Sequence, residues 1–148
     1  MTNTLQSDLE AVTADMTASR AALVSAVQRL TDANLESARR GGWSVRRVLE
    51  HVIQSEQLYV TLIAALRGQP IGQQQRPSCE GRPVDAILCL LGGSRTALLA
   101  ALEGVDDESF YSIKRLGHEE YSVLSLLENV ASHDREHAGQ VASILASS

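Results

Sequence analysis

The stretch SVLSLLENVASHDREHAGQVASI, residues 122–144, decides the fold. Leu126, Val130, His133, His137, Val141 and Ile144 follow one another at steps of four, three, four, four and three. Steps of three and four mark an α-helix with one inward face, because 3.6 residues make a turn. Two histidines thus occupy places that periodicity assigns to the core. At i and i+4 their imidazoles stack on the same face of the helix.

Outward from that helix, three more segments show the same period. Leu5, Leu9, Val12, Met16, Leu23, Val27 and Leu30 define a first helix, with Ser19 or Arg20 filling the gap in its stripe. A second starts at Ser44, whose hydroxyl suits an N-cap, with Trp43 placed as a hydrophobic staple. Its apolar face runs from Val45 to Leu66. Pro83 suits the first turn of a third helix that ends near Leu102 and Gly104, with a kink expected at Gly92-Gly93. The connections Gly68 to Arg82 and Val105 to Glu120 are long, and Phe110, Tyr111 and Ile113 give the second enough apolar mass to lie on the bundle.

The expectation is an all-α four-helix bundle with long connections, one domain spanning residues 1–148. The hydrophobic fraction of 44% supports a core, and with 3% aromatics that core must be aliphatic, which suits helix packing better than a sandwich. A net charge of −5 argues against a general nucleic-acid binder. No apolar run reads as bilayer-length and no signal segment is visible, so a cytoplasmic protein with no membrane partner is expected. Two cysteines make no disulfide framework.

A lone histidine on an apolar face is ordinarily a satisfied core or boundary residue. The pair His133 and His137 is different, because two buried neutral imidazoles each need partners and the stripe offers few. His51, one turn into the second helix between Val48 and Val52, can join them. Three imidazoles from two helices match a metal site inside a bundle, and three protein ligands leave positions open. The sequence His-Asp-Arg-Glu-His at 133–137 departs from the metalloprotease helix motif, since Asp134 stands where a glutamate belongs.

Gly42-Trp43-Ser44 leading to His51, then His133-x-x-x-His137 with Gly139-Gln140, resembles the DinB-like superfamily, which includes YfiT-related metal-dependent thiol transferases. The resemblance spans essentially the whole chain. It implies a four-helix bundle, often dimeric, with a zinc- or nickel-type ion on His51, His133 and His137. It also implies a low-molecular-weight thiol cosubstrate of the bacillithiol, mycothiol or glutathione kind, joined to a small electrophile. A metal-dependent hydrolase and a non-catalytic, stress-linked metal-binding module are the alternatives.

Other polar residues invite plainer readings. Arg39, Arg40, Arg46 and Arg47 could hold an anion at the start of the second helix, but a solvated basic collar is simpler. Cys79 reads as a loop thiol, Cys89 as a small helix residue, His118 as an exposed loop residue, and Tyr59 and Tyr121 as packing residues. Asp134 and Glu136 are expected to point away from the histidines and lie outside the site.

Overall fold

The computed structural model describes residues 3–73 and 75–147. Helix α1 spans Thr4–Gln28, α2 Val45–Leu66, α3 Val84–Ala101 and α5 Val123–Ala146, with a one-turn helix α4 at Asp107–Tyr111. These four long helices form the bundle: α1 packs on α5, α2 on both α3 and α5, and α3 closes the ring on α1. Structures of this kind place ligand sites between facing helices of the bundle.

Local chemistry sets the helix starts. Ser44 accepts from the Arg47 N–H at 3.1 Å, which satisfies one of the free amides of α2. Ser122 and Ser125 exchange reciprocal backbone bonds at 3.0 Å and open α5 with a capping box. Pro83 occupies the N-cap of α3 rather than its first turn, in extended backbone. Gly92-Gly93 do not interrupt α3, which is helical from Val84 through Ala101.

The connections hold more structure than periodicity shows. Residues Asp32–Glu36 form a 3₁₀ turn whose Leu35 is buried. After α4, strands β1 (Lys114–Leu116) and β2 (Glu119–Tyr121) pair antiparallel around Gly117, whose φ of +65° suits the tight turn. Of the three apolar residues expected to cover the bundle here, only Phe110 is buried; Ile113 is 71% exposed.

Helix α3 is, by length and mean hydropathy (1.5), apolar enough to cross a membrane, which the reading of the sequence did not anticipate. Yet it carries Asp85 and Arg95, and it packs laterally on α2 within the bundle. Only 28% of it is buried, so much of its apolar surface faces outward.

Candidate metal centre

Helices α2 and α5 bring His51, His133 and His137 to one point. The Nε2 atoms of His51 and His133 are 3.2 Å apart, and those of His133 and His137 are 2.9 Å apart. All three groups have ligand atoms within 4.8 Å of one another. His137 is almost fully buried, whereas His51 and His133 are half-buried and face the rim.

The tautomers sharpen this geometry. His137 Nδ1 lies 2.7 Å from Gln140 Oε1, and an amide oxygen can only accept, so Nδ1 carries the proton and Nε2 presents a lone pair. His133 Nε2 touches both other Nε2 atoms, and one ring nitrogen cannot donate to both. Burial pushes His133 down to about 4, with the neighbouring His137 and His51 adding to it, so its ring is neutral at pH 7. Burial likewise lowers His51, followed by His137 and Arg47. Three imidazoles whose ligand nitrogens lie within 4.8 Å of one another form a ligand set that suits a divalent cation.

The spacing fits that group. Nitrogens about 2.0–2.1 Å from a common centre are about 2.9 Å apart at right angles and about 3.4 Å apart at tetrahedral angles. The observed 2.9 and 3.2 Å lie inside that interval. Gln140 then plays the part that outer partners play at metal sites, fixing tautomer and ring orientation. Its position three residues after His137, on the same helix face, was the available sequence signal.

Trp43 forms the rim. Its ring meets that of His51 edge-on at 5.3 Å, and Arg47 lies over it at 4.9 Å from the centroid. At 44% exposure it is a surface platform beside the site. A cavity of about 500 Å³ opens next to His51, lined by Gln54, Leu58, Thr61, Ile71 and Arg76 among others.

The remaining polar residues fall elsewhere. Arg46 is committed to Glu36 and to the carbonyls of Cys79 and Arg82, Arg47 pairs with Glu50, and Arg39 bonds Ser147. Cys79 is fully buried and its thiol is pushed up to about 11, mainly by burial, so it is more than a loop thiol and is unreactive. Cys89 is free and exposed, as is His118 in the hairpin turn. Glu136 is exposed, but Asp134 is 1% exposed and faces the core, bonded to Arg20 and Arg95. It does lie outside the histidine cluster, though as a buried ion and not a solvent-facing one.

Two solved structures share this architecture. TT2238, a four-helix bundle protein, is 22% identical with a TM-score of 0.67, over 89% of this chain and 95% of that one. A DinB-like protein from Bacillus cereus is 20% identical with a TM-score of 0.69, over 99% and 94%. No curated protein matches the sequence. The family model of the DinB superfamily matches residues 15–141, most of the 148-residue chain, and the chain belongs to that superfamily.

Proposed function

We propose that this chain holds one divalent ion, zinc or nickel, on His51, His133 and His137 and joins a low-molecular-weight thiol to a small electrophile. The observation that carries the reading is the convergence of three imidazoles beside a cavity of ligand size. An ion held by these three histidines would supply Lewis acidity, which favours the thiolate form of a thiol. The thiol proton passes to solvent, the sulfur forms a C–S bond to the electrophilic carbon, and the bond from that carbon to its leaving group breaks, the electron pair departing with the leaving group as an anion.

The chain's own part is to orient and to bind. Gln140 holds His137 in the tautomer that leaves Nε2 free. Among the described residues Arg76 is the only charged residue lining the cavity, so a carboxylate-bearing thiol such as glutathione or bacillithiol suits it. Leu58 and Ile71, each 53% exposed, offer apolar contact for the electrophile.

The test is a panel of thiols with a chromogenic electrophile, run on zinc- and nickel-loaded protein. Thiol-dependent turnover that vanishes in His137→Ala is expected. Turnover of esters or amides without thiol would replace this reading with a hydrolase. Silence in both assays at full metal occupancy would leave a non-catalytic metal-binding module.

We also propose a homodimer in the cytoplasm. Its support is the outward apolar surface of α3, with Leu99 45% exposed, and the two free cysteines, which suit a reducing compartment. Sedimentation at micromolar concentration is expected to give about twice the 16.0 kDa chain mass, and a value at the chain mass would refute the dimer.

A further inference from the structure

Each long helix carries a polar interruption of its buried apolar face at one common level, and these four interruptions meet. On α1 the break is Ser19 and Arg20, between Met16 and Leu23; on α2 it is Glu56, between Ile53 and Ile63. On α3 Ser94 lies between Leu91 and Leu98, with Arg95 beside it, and on α5 Asp134 follows Ala131. The apolar residues on either side form two separate clusters, one with Leu23, Val52 and Leu91, the other with Met16, Ile63 and Leu98.

The polar residues at this level close on one another. Arg20 donates from Nε to Asp134 at 3.1 Å and from Nη2 to Glu56 at 3.0 Å. Arg95 donates from Nε to the other Glu56 oxygen at 2.8 Å and from Nη2 to Asp134 at 2.7 Å. Their Nη1 groups reach the carbonyls of Leu91 and Met16 at 2.9 and 3.1 Å, and Ser94 donates to Glu56 at 2.6 Å. All four ionic side chains are at most 11% exposed. Among the described residues no buried side-chain nitrogen or oxygen lacks a partner. Two cations balance two anions, and no valence is left for a ligand.

A closed buried network of this kind is poor evidence for stability, since apolar residues of similar volume can do as well or better. What it does supply is register. Aliphatic stripes tolerate sliding by one turn, about 5.4 Å. The same slide would strand two guanidiniums and two carboxylates in apolar surroundings, which is far more costly. The network also fixes rotation, because Asp134 sits roughly 100° around α5 from His133.

The histidines are reached directly from this layer. Glu56 follows His51 by five residues on α2, and Asp134 lies between His133 and His137 on α5. Helices α2 and α5 run antiparallel, since the N-terminal part of α2 and the C-terminal part of α5 share one apolar cluster. We propose that Arg20, Glu56, Arg95 and Asp134 are positioning residues that lock α2 against α5 so that the three imidazoles converge. For the metal, this rests on the ligand reading above; for the imidazoles themselves, it stands alone.

The experiment compares wild type with Glu56→Gln, which keeps volume and lies away from the ligands in sequence. Zinc affinity and the cobalt absorption spectrum are read at a temperature where circular dichroism shows folded protein. Glu56→Gln is expected to weaken zinc by about 10- to 100-fold and to shift the cobalt bands. Leu98→Ala, a destabilising change in the apolar cluster on the far side, is expected to leave affinity within about twofold. If Glu56→Gln does not fold, Arg95→Lys, which keeps the charge and loses the fork, takes its place. Wild-type affinity and spectrum in the folded variant would overturn the proposal. Imidazole ¹⁵N spectra of metal-free protein separate the two readings. The variant should lose the single His137 Nδ1–H state of wild type even if wild type binds no metal, and unchanged spectra there would overturn the positioning role.

Discussion

Replacing His133 or His137 with Ala is expected to reduce bound zinc and nickel from one equivalent to below detection, with the helical circular dichroism nearly unchanged. Each variant removes one of three ligands, with His133 Nε2 2.9 Å from that of His137 and 3.2 Å from that of His51, and two imidazoles alone make a weak site. His51→Ala is expected to act in the same way from the facing helix. The fold should survive because the apolar clusters on both sides of the ion network are continuous without the ion. His137→Ala gives up one hydrogen bond to Gln140, a loss of about 1 kcal/mol. Native mass spectrometry after incubation with each metal, on wild type and all three variants, checks this. Wild type that stays metal-free would refute the site.

The pH dependence follows from the same burial. His133 drops from 6.5 to about 4 in the folded chain, so the unfolded chain binds more protons between those values. Stability of the metal-free protein should therefore be full above about pH 6.5 and fall as pH drops towards 4, with His133→Ala showing a shallower slope. Because the ligands must be deprotonated, metal occupancy should fall as pH drops through the histidine range. Urea midpoints across that window for the two metal-free proteins measure the slope.

How much of this could be read from sequence depends on the kind of signal each residue carries. The long helices were legible because Leu, Val and Ile recur at threes and fours, and Ser44 and Ser122 mark two starts. His133, His137 and His51 were legible because a titratable ring on an apolar stripe is an anomaly. The exact rotation of α5 was not. The stripe through Leu126, His133 and His137 sits at one edge of the buried face, whose middle is held by Asp134. Charged residues count as surface in any periodic reading, so Glu56 and Arg95 gave no signal, although the gap between Met16 and Leu23, filled by Ser19 or Arg20, marked their level. Helix α4 and the hairpin of three-residue strands are too short to show a period. Cys79 is buried through contacts distant in sequence, including the Glu50 carboxylate that accepts its N–H at 2.9 Å.

Phe110→Ala is expected to give the largest loss of stability while sparing the histidine cluster. Phe110 is the only phenylalanine in the chain and is 0% exposed. It is delivered by a single helical turn capped by Asp106, whose side chain accepts from Ser109 N–H at 2.8 Å. Its ring joins the cluster of Leu98, Leu102, Val105, Leu126 and Leu127 and meets Tyr111 edge-on at 4.9 Å. Truncation leaves a cavity that rigid helices cannot fill, at a cost of about 3–5 kcal/mol. That is a large share of the roughly 5–15 kcal/mol that holds a domain folded. At about 2–4 °C per kcal/mol for a chain of this size, Tm should fall by roughly 10 °C. Phe110→Leu, which keeps most of the volume, should cost under about 1.5 kcal/mol. The histidines lie beyond the Arg20–Glu56–Arg95–Asp134 layer, so zinc affinity of the folded Phe110→Ala protein should match wild type. Urea denaturation with Tm measured in parallel tests the first claim, and competition titration of zinc tests the second. An unchanged midpoint would mean that α4 is not part of the cooperative core, and lost zinc affinity would mean that the two halves of the bundle are not separable.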